Sequence, residues 1–402
     1  MDIQHLSLAN FRNYTRLELD LPSRVTVLQG ENAQGKSNLL EAVYLLATSR
    51  SSRAGAESEL INWSAYEETA AVSRIAADIR RDNRLLRLEI ALMAKTSAIQ
   101  EAPDSFIRGR IPAKAAPVHK RVRVDGATRR IADLVGQINV VAFSVHDIDL
   151  IGGEPALRRR YLDIANSQID RHYMRQLQRF NRVLWQRNRL LRRIRENEAQ
   201  PAELTFWDEE LVQTGSYLVE QRGLTIAALS TLAGTIHDEL SSGQGRLSLV
   251  YKRSIDKANP GEGSATDDIP QRFSQALRAA RHKELAQGMS LVGPHRDDIS
   301  FLTDEVNLGT YGSRGQQRTA TLSLKLAEAQ FMFGVTGEHP ILLMDDVLSE
   351  LDSQRRSQVL RSIAEYEQVL ITTTDLDRFE PGFLEQVELL KVTDGQVRPL
   401  TA

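Results

Sequence analysis

The chain has 402 residues, 51 basic against 53 acidic, a net charge of −2 and no cysteine. That length supports two or three domains with ample core, and the missing thiols exclude disulfides and thiolate metal sites. No opening segment resembles a signal peptide and no apolar run has the length of a membrane helix, so the expected setting is the cytoplasm, with no membrane partner.

In chain order, Leu17, Leu19 and Leu21 alternate with Glu18 and Asp20, the period of a half-buried strand in an antiparallel sheet. Arg24 to Leu28 reads as a short buried strand. Directly after it, Gly30, Glu31, Asn32, Ala33, Gln34, Gly35, Lys36 and Ser37 fit the phosphate-loop pattern G-x-x-x-x-G-K-[ST] without a mismatch, and Leu39, Val43 and Leu46 follow at helical spacing. Strand, glycine turn and helix form the arrangement a triphosphate cradle needs. Gly30 and Gly35 let successive N–H groups turn inward, and the helix adds the positive end of its dipole. Lys36 reaches the terminal phosphates, and Ser37 offers a hydroxyl to Mg²⁺. Ala33 stands where glycine is commoner, which alters φ preferences without removing a donor.

Leu86 to Leu92 alternates again, and Val122-Arg123-Val124 runs into the turn pair Asp125-Gly126. Lys95 to Val118, rich in Ala and Pro, reads as a surface loop. The near-neutral total charge hides a segregated stretch: Arg158 to Arg195 holds twelve arginines against two acids, Asp163 and Asp170. Arginine's planar fork suits phosphate recognition, and binding DNA through it would be steeply salt-dependent; a solvated helix face fits the same run. Leu177, Leu184 and Leu191 recur every seven residues, with Tyr173, Phe180 and Ile194 at the alternate spacing and Arg187 interrupting the seam. After Pro201 a second periodic stretch includes Leu211, Leu218, Thr225, Leu229, Leu232, Ile236 and Leu240. Two such helices joined by a short turn pack antiparallel, as a DNA-facing arm or a plain strut. A Gly-rich link, Asn259 to Thr266, leads to a helix with Phe273, Leu277 and Leu285. Gly293-Pro294-His295-Arg296-Asp297-Asp298 is expected to form a hydrogen-bonded turn supporting the head, with a metal site at His295 and the aspartates as the lesser reading.

Tyr311 to Gln317, a small polar turn, feeds a helix carrying Leu322, Leu326, Ala329 and Phe333. This is a second anion-binding geometry in one chain, which suggests that Ser313 and Gly315 approach a nucleotide held by another copy. Ile341-Leu342-Leu343-Met344 is the unbroken apolar run of a parallel strand covered on both faces. It delivers Asp345 and Asp346 to the carboxyl edge of a sheet, where ligands bind. Asp345 is then the Mg²⁺ partner and Asp346 orients the attacking water; two aspartates capping a loop is the plainer alternative.

The motifs NFRNY (Asn10 to Tyr14), GENAQGKSNLLEAVYLLATSR (Gly30 to Arg50), LRRRYLD (Leu157 to Asp163), GPHRDDI (Gly293 to Ile299), YGSRGQQRTATLSLKLAEAQ (Tyr311 to Gln330) and LLMDDVLSELD, in this order, resemble the bacterial RecF family. These are recombination mediators related to the chromosome-maintenance and Rad50 ABC-type ATPases, and the resemblance spans almost the whole chain. It implies an α/β fold: an ABC-type ATPase head, a P-loop NTPase with mixed sheet and helices, carrying an inserted antiparallel helical arm. The head would take 1–150 and 288–402, the arm 151–287.

The resemblance further implies ATP and Mg²⁺ as ligands, with Lys36 and Asp346 catalytic. Ser313, Arg314, Gly315, Gln316 and Gln317 would form a signature motif that closes on the ATP of the opposite subunit in a head-to-tail dimer. Ser349 to Asp352 would be the loop crossing that interface. Arg12 matches a family position near the nucleotide, although an arginine at a strand end is as readily a surface charge. Implied partners are DNA (duplex, gap junctions, single strands) and the mediators RecR and RecO, with help in loading RecA. Asp346 replaces a glutamate common in ABC ATPases, a departure that suits slow hydrolysis and a switch; Leu370 to Thr374 lacks the histidine of ABC ATPases generally, a threonine-rich ending that RecF relatives share. Two other functions carry the same ATPase core: an energising subunit of a membrane transporter, and a passive DNA scaffold with a structural nucleotide.

Overall fold

A computed structural model describes all residues except 68–69, 83, 96–116, 244, 259–267 and 401–402. The chain opens with β1 (Asp2–Phe11), β2 (Tyr14–Asp20), β3 (Val25–Gln29), α1 (Lys36–Thr48), β4 (Ala70–Arg81), β5 (Arg84–Lys95), β6 (Val118–Val124), β7 (Ala127–Arg129), α2 (Ile131–Leu134) and β8 (Val140–Ser144). Its middle holds α3 (Asp149–Gly152), α4 (Pro155–Ile169), α5 (Arg171–Arg195), α6 (Leu204–Ser241), β9 (Leu247–Lys252), α7 (Ile269–Gln287), β10 (Asp298–Thr303), β11 (Val306–Asn307), α8 (Leu308–Tyr311) and α9 (Arg314–Thr336). Then follow β12 (Ile341–Asp345), α10 (Ser353–Ile363), β13 (Val369–Thr373), α11 (Pro381–Leu384), β14 (Glu388–Thr393) and β15 (Gln396–Pro399). Residues 96–116 of the expected Lys95–Val118 loop, and the whole Asn259–Thr266 link, lie outside the described residues.

Two compact units result: Met1–Val145 with Met332–Ala402, and His146–Phe331. The first contains two sheets. One is antiparallel, in the order β2-β1-β4-β5-β6-β7. Its register opposes Leu6 to Leu19 and Leu8 to Leu17, so the alternating leucines face one core. Asp125 (φ 51°) and Gly126 (φ 75°) turn β6 into β7 with two left-handed residues, the hairpin geometry that matches strand twist. The other sheet runs β15-β14-β3-β13-β12-β8, parallel except for β15. Ile341 to Met344 and Val369 to Thr373 are buried throughout, as strands covered on both faces must be. Helix α1 lies in one apolar cluster with residues of both sheets, which is why nearly every side of it is buried. The side chain of Gln368 donates to Ile3 O (2.9 Å) and Leu21 O (3.0 Å) and accepts from Ile3 N (2.8 Å), tying β1 and the end of β2 to the start of β13 at a buried point.

The second unit is built on the antiparallel pair α5 and α6. Contacts run in opposite chain directions: Arg187 with Asp208, Arg179 with Glu210, and Arg222 with Tyr173. Tyr173, Leu177 and Phe180 pack with Leu211, Leu218, Phe273 and Leu277. Arg187, the break in the seam, is fully buried and donates to Asp208 (2.7 Å), Ser290 (2.7 Å) and Glu284 (2.6 Å).

The GPHRDD turn belongs to this second unit, not to the part holding the phosphate loop. Arg222 donates to Pro294 O (2.6 Å), Tyr251 to Asp297 (2.6 Å), and Arg158 through two nitrogens to Asp298 (2.6 and 3.1 Å). Both carboxylates are therefore engaged in hydrogen bonds, and among the described residues no cluster of three or more His, Cys, Asp or Glu is arranged for a metal. The expected arm, 151–287, lies within this unit, which continues to Phe331 because β10 pairs with β9 along its whole length.

Candidate nucleotide-binding site

Three strands of the parallel sheet bring their carboxyl ends to one edge, where an α/β sheet binds ligands. β3 delivers the phosphate loop, β12 the two aspartates and β13 a threonine. At the loop's start Gly30 N donates to Thr373 O (3.2 Å), and a Cβ there would sit 2.3 Å from Val392 O. At its end Gly35 (φ 116°) opens α1, and a Cβ would fall 2.6 Å from Asn13 Nδ2. Neither position admits a side chain. Ala33 is left-handed as well (φ 66°), a conformation that strains an L-residue. The loop is braced from NFRNY: Tyr14 Oη donates to Gly35 O (3.0 Å) and Asn13 Nδ2 to Gln34 O (3.0 Å). Glu31, Asn32 and Ala33 form an exposed rim.

Lys36 is buried and its ammonium donates to Gly30 O (2.6 Å) and Glu31 O (2.8 Å). Burial lowers its pKa, opposed by the charges of Asp346, Asp345 and Glu31. The two sequence halves meet here: Ser37 Oγ donates to Asp345 Oδ1 at 2.7 Å across 308 residues of chain. Thr372 Oγ1 donates to the same oxygen (2.9 Å) while accepting from Asp346 N (3.0 Å), so one hydroxyl sets both aspartates. Asp346 adopts φ 54°, and its Oδ1 is buried with no hydrogen-bond partner among the described residues. A buried carboxylate oxygen left unpaired is costly and points to a partner from outside the chain. Ser37 and Asp345 supply adjacent hard oxygens of the kind Mg²⁺ takes, alongside a cradle lined by N–H groups and an ammonium for phosphate. The donor set fits both groups.

Not every expected residue lies in this cluster. Ser313, Arg314, Gly315, Gln316 and Gln317 sit in the second unit, at the start of α9. Ser313 Oγ accepts from Gln316 N (3.3 Å) and Gln316 Oε1 from Ser313 N (2.8 Å), a reciprocal cap. Gln317 Nε2 donates to Leu308 O (2.9 Å). The turn is largely exposed, and a Cβ at Gly315 would meet nothing closer than Ser313 Oγ at 4.0 Å. Packing within the chain therefore gives no reason for that glycine. Ser349 Oγ donates to Asp346 O (2.6 Å), and Asp352 caps α10 through Arg355 N (2.9 Å). Arg12 is not a free surface charge. Nε and Nη2 grip Glu41 of α1 (2.8 and 2.9 Å) and Nη1 donates to Glu59 O (3.0 Å), which leaves two of its N–H groups.

Sequence reasoning missed Asn13, Tyr14 and Thr372. NFRNY and the threonine run at the end of β13 were visible as motifs, but only strand register assigns them these partners. It also overcounted free arginines. Acids scarce in α4 and absent from α5 are supplied by β10, α6 and α7: Asp298 to Arg158, Glu210 to Arg179, and Asp208 and Glu284 to Arg187.

Fold and site together define an ATPase head of the ABC type with a helical insertion. Residues 2–397 match the family described as the RecF/RecN/SMC N-terminal domain. The chain is 45% identical over 406 residues to the DNA replication and repair protein RecF of Chloroflexus aurantiacus, covering 99% of each. It is 35% identical to that of Halalkalibacterium halodurans, again covering 99% of each. Among solved structures it is similar to the recombination mediator protein RecF of the RecFOR pathway in its RecF-ATP form: 30% identity, TM-score 0.83, 99% of this chain and 97% of that one. The chain belongs to the RecF family.

Proposed function

We propose that the chain is an ATP-operated, DNA-binding recombination mediator of DNA repair. Its relatives carry names of DNA replication and repair, and a similar solved chain is a RecF-ATP form. Among the described residues, no helix is long and apolar enough to cross a membrane, and the transporter reading gains nothing from these relatives. The observation that carries the proposal is the meeting of Ser37 with Asp345 beside an unpaired oxygen of Asp346.

In this reading the loop from Gly30 to Ser37 holds the triphosphate of ATP and Lys36 sets its charge against the terminal phosphates. Ser37 and Asp345 hold Mg²⁺, which when bound neutralises charge on the phosphate oxygens. Asp346 receives the attacking water on its free oxygen, one methylene shorter than a glutamate, which suits slow turnover. Arg12 positions α1 through Glu41 and keeps two N–H groups for a nucleotide contact. Ser313 to Gln317 complete the pocket of a second copy, with Ser349 and Asp352 at the same junction. The exposed first turn of α9 and the unexplained Gly315 support this trans arrangement. ATP thereby bridges two copies on DNA in the cytoplasm, hydrolysis releases them, and RecR and RecO cooperate in loading RecA at gaps.

Ser313→Arg tests the arrangement. The variant should bind ATP as the parent does yet stay monomeric with ATP in analytical ultracentrifugation. Dimers persisting in that variant would contradict closure in trans.

A further inference from the structure

One face of α5 carries a pattern that the nucleotide site does not use. Arg171, Arg175, Arg182, Trp185, Arg189 and Arg192 follow one another at steps of three, four or seven residues, so they form a single stripe along the helix. All six are exposed, and the stripe lies opposite the buried face of Tyr173, Leu177, Phe180 and Leu191. The helix has nine arginines and no acid in its 25 residues. Arg179, which continues the same spacing between Arg175 and Arg182, is paired with Glu210, and Arg187, on the buried side, with Asp208 and Glu284. The five arginines of the stripe have no ion pair of this kind among the described residues. Trp185 stands in their midst, 59% exposed, with the Arg189 guanidinium 5.8 Å from its ring centroid.

A solvated charge face has no use for an exposed indole, and an apolar docking face would not be ringed by like charges. Spaced cations with an aromatic platform between them match a strand whose phosphates are close and whose bases are free to stack. In a duplex the bases are already stacked and out of the indole's reach. From Arg171 to Arg192 the stripe runs roughly 30 Å at 1.5 Å per residue, enough for several nucleotides. We propose that this face of α5 is a track for single-stranded nucleic acid, with arginines on the phosphates and Trp185 stacked on an unpaired base. This rests on the DNA-binding reading above, whose implied partners already include single strands, and adds the helix face and the side chains that hold the strand.

The test uses the full chain with ATP and Mg²⁺, measuring anisotropy of labelled oligo-dT and of a labelled mixed-sequence duplex across a salt series. Trp185→Ala should weaken oligo-dT binding by roughly five- to 150-fold, the loss of one stacked base, while Trp185→Phe retains it and duplex affinity holds. Arg182→Gln should shrink the salt slope on the single strand by about 0.7. Unchanged oligo-dT affinity in Trp185→Ala overturns the proposal, and so does an equal loss on single strand and duplex. Variants that keep oligo-dT but lose binding to poly-glutamate would reassign the stripe to an acidic protein partner and also overturn it. A parent chain that binds neither DNA form removes the underlying reading as well. Circular dichroism and ATP-induced dimerisation of each variant verify its fold.

Discussion

Thr372 is the residue on which the geometry of both aspartates turns. It lies buried at the end of β13, donating to Asp345 and accepting from Asp346 N, and β13 pairs with β12 in a register that puts Thr372 beside Asp345. Valine has the same shape without the hydroxyl, so Thr372→Val would leave Asp346 N unpaired and Asp345 held by Ser37 alone of its two hydroxyl donors. An unmade buried hydrogen bond costs about 1–3 kcal/mol, and misplacing a catalytic group by an ångström costs about 100-fold in rate. Turnover measured by phosphate release should fall by about ten- to 100-fold, with fluorescent-ATP affinity nearly unchanged and Thr372→Ser restoring activity. Parental turnover in Thr372→Val would show that the threonine does not hold the aspartates. The contrast with Lys36 and Ser37 explains what could be read in advance. Those two act inside one contiguous loop whose spacing encodes the cradle, whereas Thr372, Asn13 and Tyr14 act through partners set by strands distant in sequence.

At the scale of elements, the first turn of α9 and the turn at His295 each make a distinct expectation. Gly315 sits in a helix with open space where its Cβ would be. Alanine there should raise stability by about 0.5–1 kcal/mol through helix propensity alone. If this turn closes on a second copy as proposed, Gly315→Ala should also weaken ATP-induced dimers in sedimentation while ATP binding holds. His295 is governed by burial. Nε2 faces Ser290 O at 3.2 Å, so that nitrogen carries the proton, and Nδ1 is buried without a partner among the described residues. Burial pushes its pKa down to about 3, helped by Arg296, Arg159 and Arg187. The unfolded chain takes up a proton near the ordinary histidine value of about 6.5, and the folded chain does not until the lower one. Stability is therefore intact above about pH 6.5 and falls by about 1.4 kcal/mol per unit below it until the folded pKa is reached. His295→Asn should flatten that part of the acid limb in denaturant titrations at neutral pH and at pH 5; parallel curves for parent and variant would refute it. The seven-residue leucine repeat made α5 and its antiparallel partner legible. The repeat could not show that Arg187 is an ionic lock rather than a fault, because its acids come from α6 and α7.

For the whole molecule, the decisive fact is how the chain's two ends interleave. β3, from the first thirty residues, is hydrogen-bonded between β13 and β14, from the last forty. Neither end can form the cradle alone, and Gly30 N to Thr373 O and Ser37 to Asp345 close it from both sides. That split could be read in the sequence because a phosphate loop and its carboxylate must meet. The extent of the second unit could not, since nothing in the sequence of either strand assigns β9 as the partner of β10. Ligand that binds only the folded state stabilises it, by about 2.7 kcal/mol at a hundredfold excess over Kd. In the monomeric Ser313→Arg background, ATP with Mg²⁺ should therefore slow hydrogen exchange together in the loop after β3, in α1 and at the ends of β12 and β13, leaving α5 unchanged. Asp345→Asn should abolish the part that depends on Mg²⁺. Slowing confined to the loop and α1, with β12 and β13 indifferent, would mean that the distant aspartates take no part in the nucleotide site.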